Sequence, residues 1–441
     1  MYKAKVVKLS VKPHPNADRL QLGFVQGIQV IVGLDVQEGE VGAFFPCDGQ
    51  IAEEFLSTHN LYRHANLNKD TTKTGYFGDN GRVTAEKIRG EMSDGFWCPL
   101  SHFEYTGHDV SKLQIGDEFD ELNKHKICQK YYTPATRSAM RGGGKAKRTQ
   151  AAFNMPRHYE TEQLVYNLDS IEPGDTIIIS AKLHGTSSRI GNVQVEREIK
   201  LTRWQKLFNR LPLAVKYPEI DKRYEFVVGT RNTIASDWVT PESNEWYRME
   251  TAEPLRGQLK KGEVVYAEIV GYDNNGKLIM NPQGTSKLPE VRKRYGEVME
   301  YRYGCRWNEV GVPQRKMFVY RISNVNEDGI EVDLPWKQMK ARAAQLGLEV
   351  VPVLCEGRDT PGAIRAWVIN DYDINIFMDE VCKLTRGEST LDDTHIREGV
   401  VVRVEKPNGT IKAYKHKSNE FKILEGIMKA SDDYVDAEEI A

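Results

Sequence analysis

Lys182 is the residue whose setting in this sequence most favours covalent chemistry. It follows the apolar run Ile177-Ile178-Ile179 and is followed closely by His184 and Gly185. The pattern predicts a lysine at the end of a buried strand, beside a glycine that lets a ligand approach. A lysine with the usual pKa of about 10.4 is a poor nucleophile, and neighbouring cations or desolvation must favour loss of its proton. Taken alone, such a segment is more commonly a surface lysine at a strand end.

Two glutamates lie in or beside runs that are typical of buried strands. Glu268 interrupts the apolar run 264–270, and Glu398 precedes Gly399 at the start of a valine-rich run. An unpaired buried carboxylate is costly, so a ligand hydroxyl or a metal ion would account for Glu268. The alternative is a glutamate on an exposed edge strand.

Cationic and aromatic side chains recur at the ends of other predicted strands. Arg231 comes just after an apolar strand, where an arginine can hold a phosphate or a ribose. Lys415 and Lys417 alternate, so a strand would point both to one face, where they repel each other unless an anion or acids lie between them. Phe318 and Tyr320 lie on another predicted strand, and a ring there can stack on a purine, although most such rings belong to a core.

The order of these segments is more specific than any one of them. Lys-x-His-Gly, Thr-Arg-Asn, Ala-Glu-Ile-Val-Gly, Phe-Val-Tyr, Glu-Gly-Val-Val and Lys-x-Lys follow one another over residues 178–420. This series resembles the motifs of the covalent nucleotidyltransferases, which include DNA ligases, RNA ligases and mRNA capping enzymes. His184 and Ser187 stand where DNA ligases and capping enzymes usually have aspartate and arginine, and residues 415–421 look like the last motif of RNA ligases.

The layout of the chain narrows the resemblance further. DNA ligases and capping enzymes carry an OB domain after the Lys-x-Lys motif, whereas only residues 418–441 follow Lys417 here. The chain is therefore similar to ATP-dependent RNA ligases of the nick-sealing subgroup with an N-terminal OB domain. An mRNA-capping-type guanylyltransferase and a DNA ligase remain alternatives, as does a non-catalytic RNA-binding protein with a degenerate ligase fold.

The resemblance implies ATP, Mg²⁺ or Mn²⁺, and RNA or an RNA-containing nicked duplex as partners. It implies that Lys182 takes AMP from ATP, passes it to a 5′-phosphate, and that a 3′-hydroxyl then closes the strand with release of AMP. The implied roles are catalysis for Lys182, Lys415 and Lys417, ATP or AMP binding for His184, Gly185, Arg231, Glu268, Phe318, Glu398, Lys415 and Lys417, and metal binding for Glu398 and Glu268. Tyr320 is the alternative to Phe318 beneath the adenine, and a structural hydrogen bond is the alternative role for His184.

Strand and helix patterns predict an α+β fold in three segments. Residues 1–125 predict an OB-like β-barrel, 126–158 a basic flexible linker, and 159–441 an adenylyltransferase domain of mainly antiparallel sheets flanked by helices. The third segment has helix patterns at 336–346 and 374–384. Its predicted strands are 176–180, 224–229, 264–270, 317–322, 399–404 and 410–414.

The N-terminal segments each allow two interpretations. Residues 14–20, His-Pro-Asn-Ala-Asp-Arg-Leu, and the strand after them resemble the start of the OB-fold tRNA-binding domain attached to some tRNA synthetases. Such a barrel either binds nucleic acid or is purely structural. The linker holds three glycines at 142–144 and five positive charges without an acid at 137–148. It is either a solvated connector or one that also contacts phosphates.

Composition excludes few classes of protein. The net charge of −2 neither indicates nor excludes a nucleic-acid partner, because binding depends on local basic surface. Six cysteines without a Cys-x-x-Cys pair argue against a zinc or disulfide framework. No apolar run is long enough to span a bilayer and no secretory signal begins the chain, so we expect a cytoplasmic location. The oligomeric state cannot be read from the sequence.

Overall fold

The computed structural model describes residues 2–25, 28–47, 49–132, 137, 151–158, 161–210, 216–356 and 374–425. These residues form two compact units. The first comprises the described residues within Met1–Arg141, Asp373–Asp379 and Lys422–Asp436, and the second those within Gly142–Tyr372 and Glu380–Phe421. No helix in the described ranges has the length and apolar character needed to cross a membrane.

The first unit consists of short antiparallel strands, one α-helix and short 3₁₀ helices among its described residues. A four-stranded sheet has the order β10-β1-β5-β9, a three-stranded sheet the order β2-β3-β4, and the other strands form pairs. The bounds are β1 Ala4–Lys8, β2 Ser10–Pro13, β3 Leu20–Val25, β4 Ile28–Gly33, β5 Val41–Phe45, β6 Gly49–Ile51, α1 Glu53–Thr58, β7 Ala85–Ile88, β8 Glu91–Asp94, β9 Phe96–Pro99, β10 Glu118–Phe119, β11 Glu121–Leu122, β12 His125–Lys126 and β13 Cys128–Lys130, with 3₁₀ helices at Ala65–Leu67, Leu100–Thr106 and Val110–Lys112.

The first unit contains antiparallel strands, but the OB-like barrel predicted for residues 1–125 is not confirmed. Among the described residues of the first unit, the strands belong to separate sheets, and their pairings do not close a barrel. The interior is rich in aromatic side chains, with Phe45, Phe55 and Phe103 packed together and fully buried. Large apolar rings of this kind supply much of the burial that stabilises a small β unit.

The second unit is built on two sheets. Its bounds are β14 Ala151–Phe153, β15 Glu162–Gln163, β16 Thr176–Lys182, β17 Thr186–Glu198, α2 Arg203–Asn209, β18 Ile220–Gly229, α3 Trp246–Ala252, β19 Glu263–Gly271, β20 Gln283–Gly284, α4 Pro289–Tyr295, β21 Val298–Met299, β22 Arg315–Val325, β23 Glu331–Asp333, α5 Trp336–Gln345, β24 Glu349–Val350, β25 Val353–Glu356, β26 Gly399–Glu405 and β27 Ile411–Lys417, with 3₁₀ helices at Leu164–Tyr166, Leu168–Ser170, Ala235–Asp237 and Glu253–Leu255. Two further helices, α6 Ile374–Thr385 and α7 Asn419–Leu424, have residues in both units.

The two sheets explain why the sequence shows continuous apolar runs. One sheet has the order β14-β17-β19-β22-β23, with β18 on β17 and β24 on β22, and the other has the order β15-β27-β26-β16-β25. Among these pairings only β15–β27 and β22–β24 are parallel. The central strand β19 is buried at every position except Glu268, because both of its faces are covered. The predicted α+β class with mainly antiparallel sheets is therefore confirmed.

The segment predicted as a basic linker is described only at its two ends. There, β13 pairs with β6 and β14 pairs with β17, so both ends contribute strands to sheets. Residues 133–136 and 138–150, which contain the triple glycine and most of the basic residues, lie outside the described part of the chain.

Candidate active site

Strand register brings three of the predicted site segments side by side. Lys182 at the end of β16 pairs with Gly399 at the start of β26, and Gly399 pairs with Lys417 on β27. The two lysines therefore lie on the strands that flank β26, one on each side, at the same end of the sheet. Glu398 immediately precedes β26 and is thereby placed between them.

The Glu398 carboxylate is the electrostatic centre of this edge. It is 1% exposed, and its Oε1 lies 2.7 Å from Nζ of Lys182 and 3.4 Å from Nζ of Lys417. Its Oε2 lies 3.6 Å from Nδ1 of His184. Burial by itself raises the pKa of the Glu398 carboxyl, but the charges of Lys182 and Lys417 outweigh burial and lower that pKa. The carboxylate is therefore ionised at neutral pH and relieves the repulsion expected between the lysines.

A cavity opens next to Lys182, and both sheets of the second unit line it. The sheet that contains β16 and β27 contributes Lys182 and Lys415, and the sheet that contains β19 and β22 contributes Glu268 and Tyr320. Gly185 and Arg231 also line the cavity, from the segments after β16 and β18. The remaining lining includes Ser187, Arg321, Trp336 and Arg403. A concave site that is mostly apolar with a few convergent charged groups is the usual form of a small-molecule site.

Gly185 is needed because the two sheets approach each other closely at this point. A Cβ atom there would lie 2.6 Å from the carbonyl oxygen of Ile269, 2.8 Å from Cγ1 of Val270 and 2.9 Å from Cγ of Glu268. No side chain larger than hydrogen fits without displacing β19. The glycine thus keeps Lys182 and Glu268 on opposite walls of one narrow cleft.

The two candidate stacking rings do not share a face, contrary to the expectation from their spacing. The register between β19 and β22 shifts by one residue, because Ala267 pairs with Val319 and Tyr266 pairs with Arg321. Tyr320 is the extra residue, and such a bulge interrupts the alternation of side chains. Phe318 is fully buried and is not among the cavity-lining residues, whereas Tyr320 lines the cavity. Of the two rings, Tyr320 is therefore the one that a ligand in the cavity can contact.

Two buried arginines hold the segments that carry predicted site residues. Arg189 donates to the carbonyl oxygens of Thr230 and Thr233 at 2.5 and 3.0 Å, and so anchors the turn that carries Arg231. Arg248 donates to the Ser187 carbonyl at 2.8 Å and to the Thr186 hydroxyl at 2.6 Å, and so anchors the start of β17. Buried hydrogen bonds of this kind fix the backbone on both sides of the cavity.

Behind the Lys182 segment lies an aromatic cluster that sequence reasoning did not find. The hydroxyl of Tyr303 accepts a hydrogen bond from the backbone N–H of His184 at 2.6 Å, and the His184 ring packs edge-on against Tyr301, with a 4.7 Å centroid separation. Tyr303 has φ of 53°, which is strained for a residue with a side chain, and it contacts the buried His395 ring at 4.5 Å. The sequence signal is weak, since Tyr303 simply precedes Gly304 in a loop.

The described residues offer carboxylates for a metal ion but no complete protein cage. They contain no group of three or more His, Cys, Asp or Glu side chains arranged for a metal. Both oxygens of Glu398 are buried. Their contacts with Lys182, Lys417 and His184 are ion pairs that lack ordinary hydrogen-bond geometry. Glu268 lines the cavity. This donor set fits a magnesium-type ion, which takes one or two carboxylates and completes its shell with phosphate and water oxygens.

Comparison with known proteins identifies the family to which these two sheets and their cleft belong. The sequence profile of the RNA ligase family matches residues 175–423, more than half of the chain, so the chain belongs to the RNA ligase family. The RNA ligase family, expected from the motif series together with His184, Ser187 and residues 415–421, is therefore confirmed. No curated protein matches the sequence.

Solved structures of Naegleria gruberi RNA ligase resemble the chain over nearly its whole length. A lysine-to-methionine mutant with AMP and Mn has a TM-score of 0.57 at 14% identity, covering 97% of this chain and 99% of the other. The same ligase with pyrophosphate gives 0.55 at 15% identity, covering 95% and 97%. An arginine mutant with ATP and Mn gives 0.54 at 15% identity, covering 95% and 98%. At these identities the likeness establishes a shared fold.

Proposed function

We propose that this member of the RNA ligase family uses ATP to join a 3′-hydroxyl to a 5′-phosphate, and that it seals nicks or breaks in RNA. The observation that carries the proposal is the position of Lys182. Its amine is paired with the buried Glu398, which also contacts Lys417, and Lys182 lines a cavity formed by two sheets. In this arrangement Lys182 can attack a negatively charged ligand bound in the cavity, such as a nucleotide phosphate.

ATP and a divalent metal ion are the proposed partners of the cavity. The solved N. gruberi ligases contain ATP or AMP with Mn, which supports the same choice for a chain of this fold. Glu398 and Glu268 are the proposed metal-associated carboxylates. When bound, Mg²⁺ or Mn²⁺ supplies positive charge that neutralises phosphate oxygens and favours the neutral amine.

In the proposed first step, the amine of Lys182 forms a bond to the α-phosphorus of ATP. The bond from that phosphorus to the bridging oxygen breaks, pyrophosphate leaves with the electron pair, and the amine proton passes to solvent. The ammonium of Lys182 must first give up its pairing with Glu398. Lys415 and Lys417 hold the α-phosphate and neutralise charge as it develops, which is the main contribution a protein makes to phosphoryl transfer.

The other cavity residues orient the nucleotide. We propose that Glu268 accepts hydrogen bonds from the ribose hydroxyls or binds a metal-held water, and that Arg231 holds the ribose or a phosphate. Tyr320 is the proposed ring beneath adenine, with Phe318 packed out of the cavity. His184 contacts a phosphate or keeps its structural contacts, and Gly185 leaves space for the nucleotide.

The second and third steps use the same cleft. AMP passes from Lys182 to the 5′-phosphate of an RNA strand, and the 3′-hydroxyl then attacks that phosphate and releases AMP. Both are in-line transfers, so positioning of the two strand ends dominates their rates. A nicked duplex presents the two ends together, which favours it as substrate.

We further propose that residues 1–125 bind nucleic acid and that residues 159–441 form the ligase domain. Antiparallel strands β1–β5 and the segment that resembles a tRNA-binding OB domain support this assignment. The basic residues 137–148 are proposed to contact phosphates as well, and lie outside the described residues apart from Arg137.

Transfer of label from ATP tests the proposal directly. Lys182→Ala should abolish covalent labelling of the protein by α-labelled ATP, because the variant lacks the attacking nitrogen. Lys412→Ala, at an exposed lysine on β27, is the matched control and should label like the wild type. Labelling of the Lys182 variant at the same site would overturn the central assignment. Labelling by GTP in place of ATP would favour a capping-type activity, and a panel of nicked RNA and DNA duplexes separates RNA from DNA sealing.

A further inference from the structure

The described residues between β17 and β18 contact one another through side-chain hydrogen bonds and ring packing. We call these residues, 199–210 and 216–219, the hairpin tip. Thr202 and Gln205 form a capping box at the start of α2. Asn209 donates to the carbonyl of Tyr217 at 3.0 Å and accepts from its N–H at 2.8 Å, and Phe208 meets the Tyr217 ring edge-on at 5.3 Å. The tip therefore presents its remaining side chains in defined positions.

Charged side chains on β17 and β18 form ion pairs, whereas the cations of the hairpin tip form none with described residues. On the β17–β18 ladder, Arg197 pairs with Glu225 at 2.7 Å and Arg223 pairs with Asp221 at 2.8 Å. The tip contains one acid, Glu219, which accepts a hydrogen bond from Asn209 at 3.2 Å. Its cations are Lys200, Arg203, Lys206, Arg210 and Lys216, all exposed and with no ion pair seen to any described residue. With five cations and one acid, the tip is positively charged on a chain whose net charge is −2.

An aromatic side chain stands among these cations. Trp204 is 80% exposed, and Leu207 beside it on α2 is 53% exposed. A merely solvated helix face does not need a tryptophan, whose exposure to water is unfavourable. Basic side chains interleaved with exposed aromatic rings are the arrangement that holds nucleic-acid strands, with phosphates on the cations and a base or ribose on the ring.

We propose that the hairpin tip is a second RNA-binding surface, which grips the substrate far from the ends being joined. This inference rests on the proposed function, since it assigns a further contact to the same RNA substrate. The β17 strand has 13 residues from Thr186, near the cavity, to Glu198, near the tip. Its length of about 40 Å corresponds to on the order of a dozen base pairs, so only RNA that extends that far from the junction reaches the tip.

Varying the length of the RNA duplex therefore separates binding at the hairpin tip from binding at the junction. Binding of the full chain to nicked RNA duplexes would be measured by fluorescence anisotropy, with flanks of about 6 base pairs or about 24 base pairs on each side of the nick. The variants are Trp204→Ala and Lys206→Glu. The control is Lys337→Glu, which makes the same charge change at an exposed lysine on α5 of the same unit.

We expect both tip variants to bind the long duplex about tenfold more weakly, and the short duplex like the wild type. Lys206→Glu should also lower the dependence of binding on salt concentration, because fewer counterions are released. Lys337→Glu should leave the difference between long and short duplexes unchanged. Lysine labelling by ATP should be normal in all three variants.

Two outcomes would overturn the inference while leaving the proposed function intact. One is wild-type binding of the long duplex by both tip variants, with the wild-type enzyme labelling and joining normally. The other is an equal loss for short and long duplexes, which would place the effect at the junction. If the proposed function is wrong, the wild-type protein will not form the lysine adduct with ATP. Fluorescence anisotropy would then still show whether the hairpin tip binds RNA.

Discussion

At the scale of single residues, Glu398 connects the groups that the chemistry requires. One carboxylate contacts Lys182, Lys417 and His184 while fully buried. Removing a buried charge partner leaves the others uncompensated, so each of the four side chains depends on the rest. The geometry explains how two neighbouring lysines and a histidine can share one cleft before a nucleotide enters.

Tyr303 should act as a positioning residue for residues 182–184, which include the proposed nucleophile Lys182. In Tyr303→Phe the N–H of His184 loses its acceptor, and an unmet buried donor costs about 1–3 kcal/mol. We expect slower labelling of Lys182 by ATP, with a larger effect on the rate at saturating ATP than on the ATP concentration needed for half the maximal rate. Single-turnover labelling measures both.

Tyr301→Phe is the matched control for this prediction. Its hydroxyl donates to Oε1 of Gln283 at 2.9 Å, and phenylalanine keeps the ring that packs against His184. The control should lose comparable stability in thermal unfolding while labelling at the normal rate. Equal slowing in both variants would show that Tyr303 contributes only general stability.

A stacked histidine pair in the first unit should make stability depend on pH. The rings of His59 and His102 lie 4.3 Å apart and nearly parallel. Burial, together with the charge of His59, lowers the pKa of His102 to about 4, and burial also lowers the pKa of His59. Between pH 6.5 and 4 the unfolded chain therefore binds more protons than the folded chain, so the free energy of unfolding should decrease as the pH falls through this window.

Thermal unfolding between pH 7.5 and 4.5 would check this prediction. His102→Gln removes the titrating ring and should flatten the pH dependence over that range. A variant that keeps the full wild-type dependence would assign the effect to other groups. NMR titration of the His102 ring would give its pKa independently.

At the scale of elements, the register of strands from two sheets builds the cleft. Gly185→Ala should disrupt this cleft, because the new Cβ would lie 2.6 Å from the Ile269 carbonyl oxygen. Overpacking of this kind costs about 1–3 kcal/mol, and displacement of Lys182 by about 1 Å is expected to slow adenylylation about 10²-fold. Labelling by ATP and thermal unfolding measure the two effects.

Gly284→Ala is the control for the glycine prediction. A Cβ there meets no atom within 4 Å, and its backbone needs no left-handed conformation. This variant should unfold and label like the wild type. If Gly185→Ala behaved in the same way, the close approach of β16 and β19 would not be needed for the reaction.

Local patterns predicted most of the elements that carry the site. The predicted runs appear as β16, β18, β19, β22, β26 and β27, and the helix patterns as α5 and α6. Buried strands have continuous apolar runs, which makes them visible in a sequence. The longest strand, β17, was missed because its outer end is exposed and its residues alternate between small, polar and charged types.

At the scale of the whole molecule, the cavity-lining residues all belong to the second unit. A chain lacking residues 1–125 should therefore still form the lysine adduct with ATP, but should join RNA less efficiently if the missing residues bind nucleic acid. Parallel measurement of labelling and of strand joining checks this. Equal loss of both activities would point to a structural role for the N-terminal residues.

Asp94→Asn in the full chain is a control for the deletion. Asp94 pairs with Lys422 at 3.1 Å within the first unit, and the deletion removes this pair along with everything else. The substitution should leave both labelling and joining normal. A defect in labelling would mean that the deletion acts through Lys422 rather than through lost RNA contacts.

The family and the order of the proposed site residues along the chain could be inferred from local patterns, because each motif lies in or beside a strand with its own apolar signature. Three features depend on contacts between segments far apart in the sequence. These are the pairing of Glu398 with Lys182, the bulge that turns Tyr320 rather than Phe318 into the cavity, and the hydrogen bond from His184 to Tyr303. Strand register and burial are set by packing of the whole unit, and no local spacing encodes them.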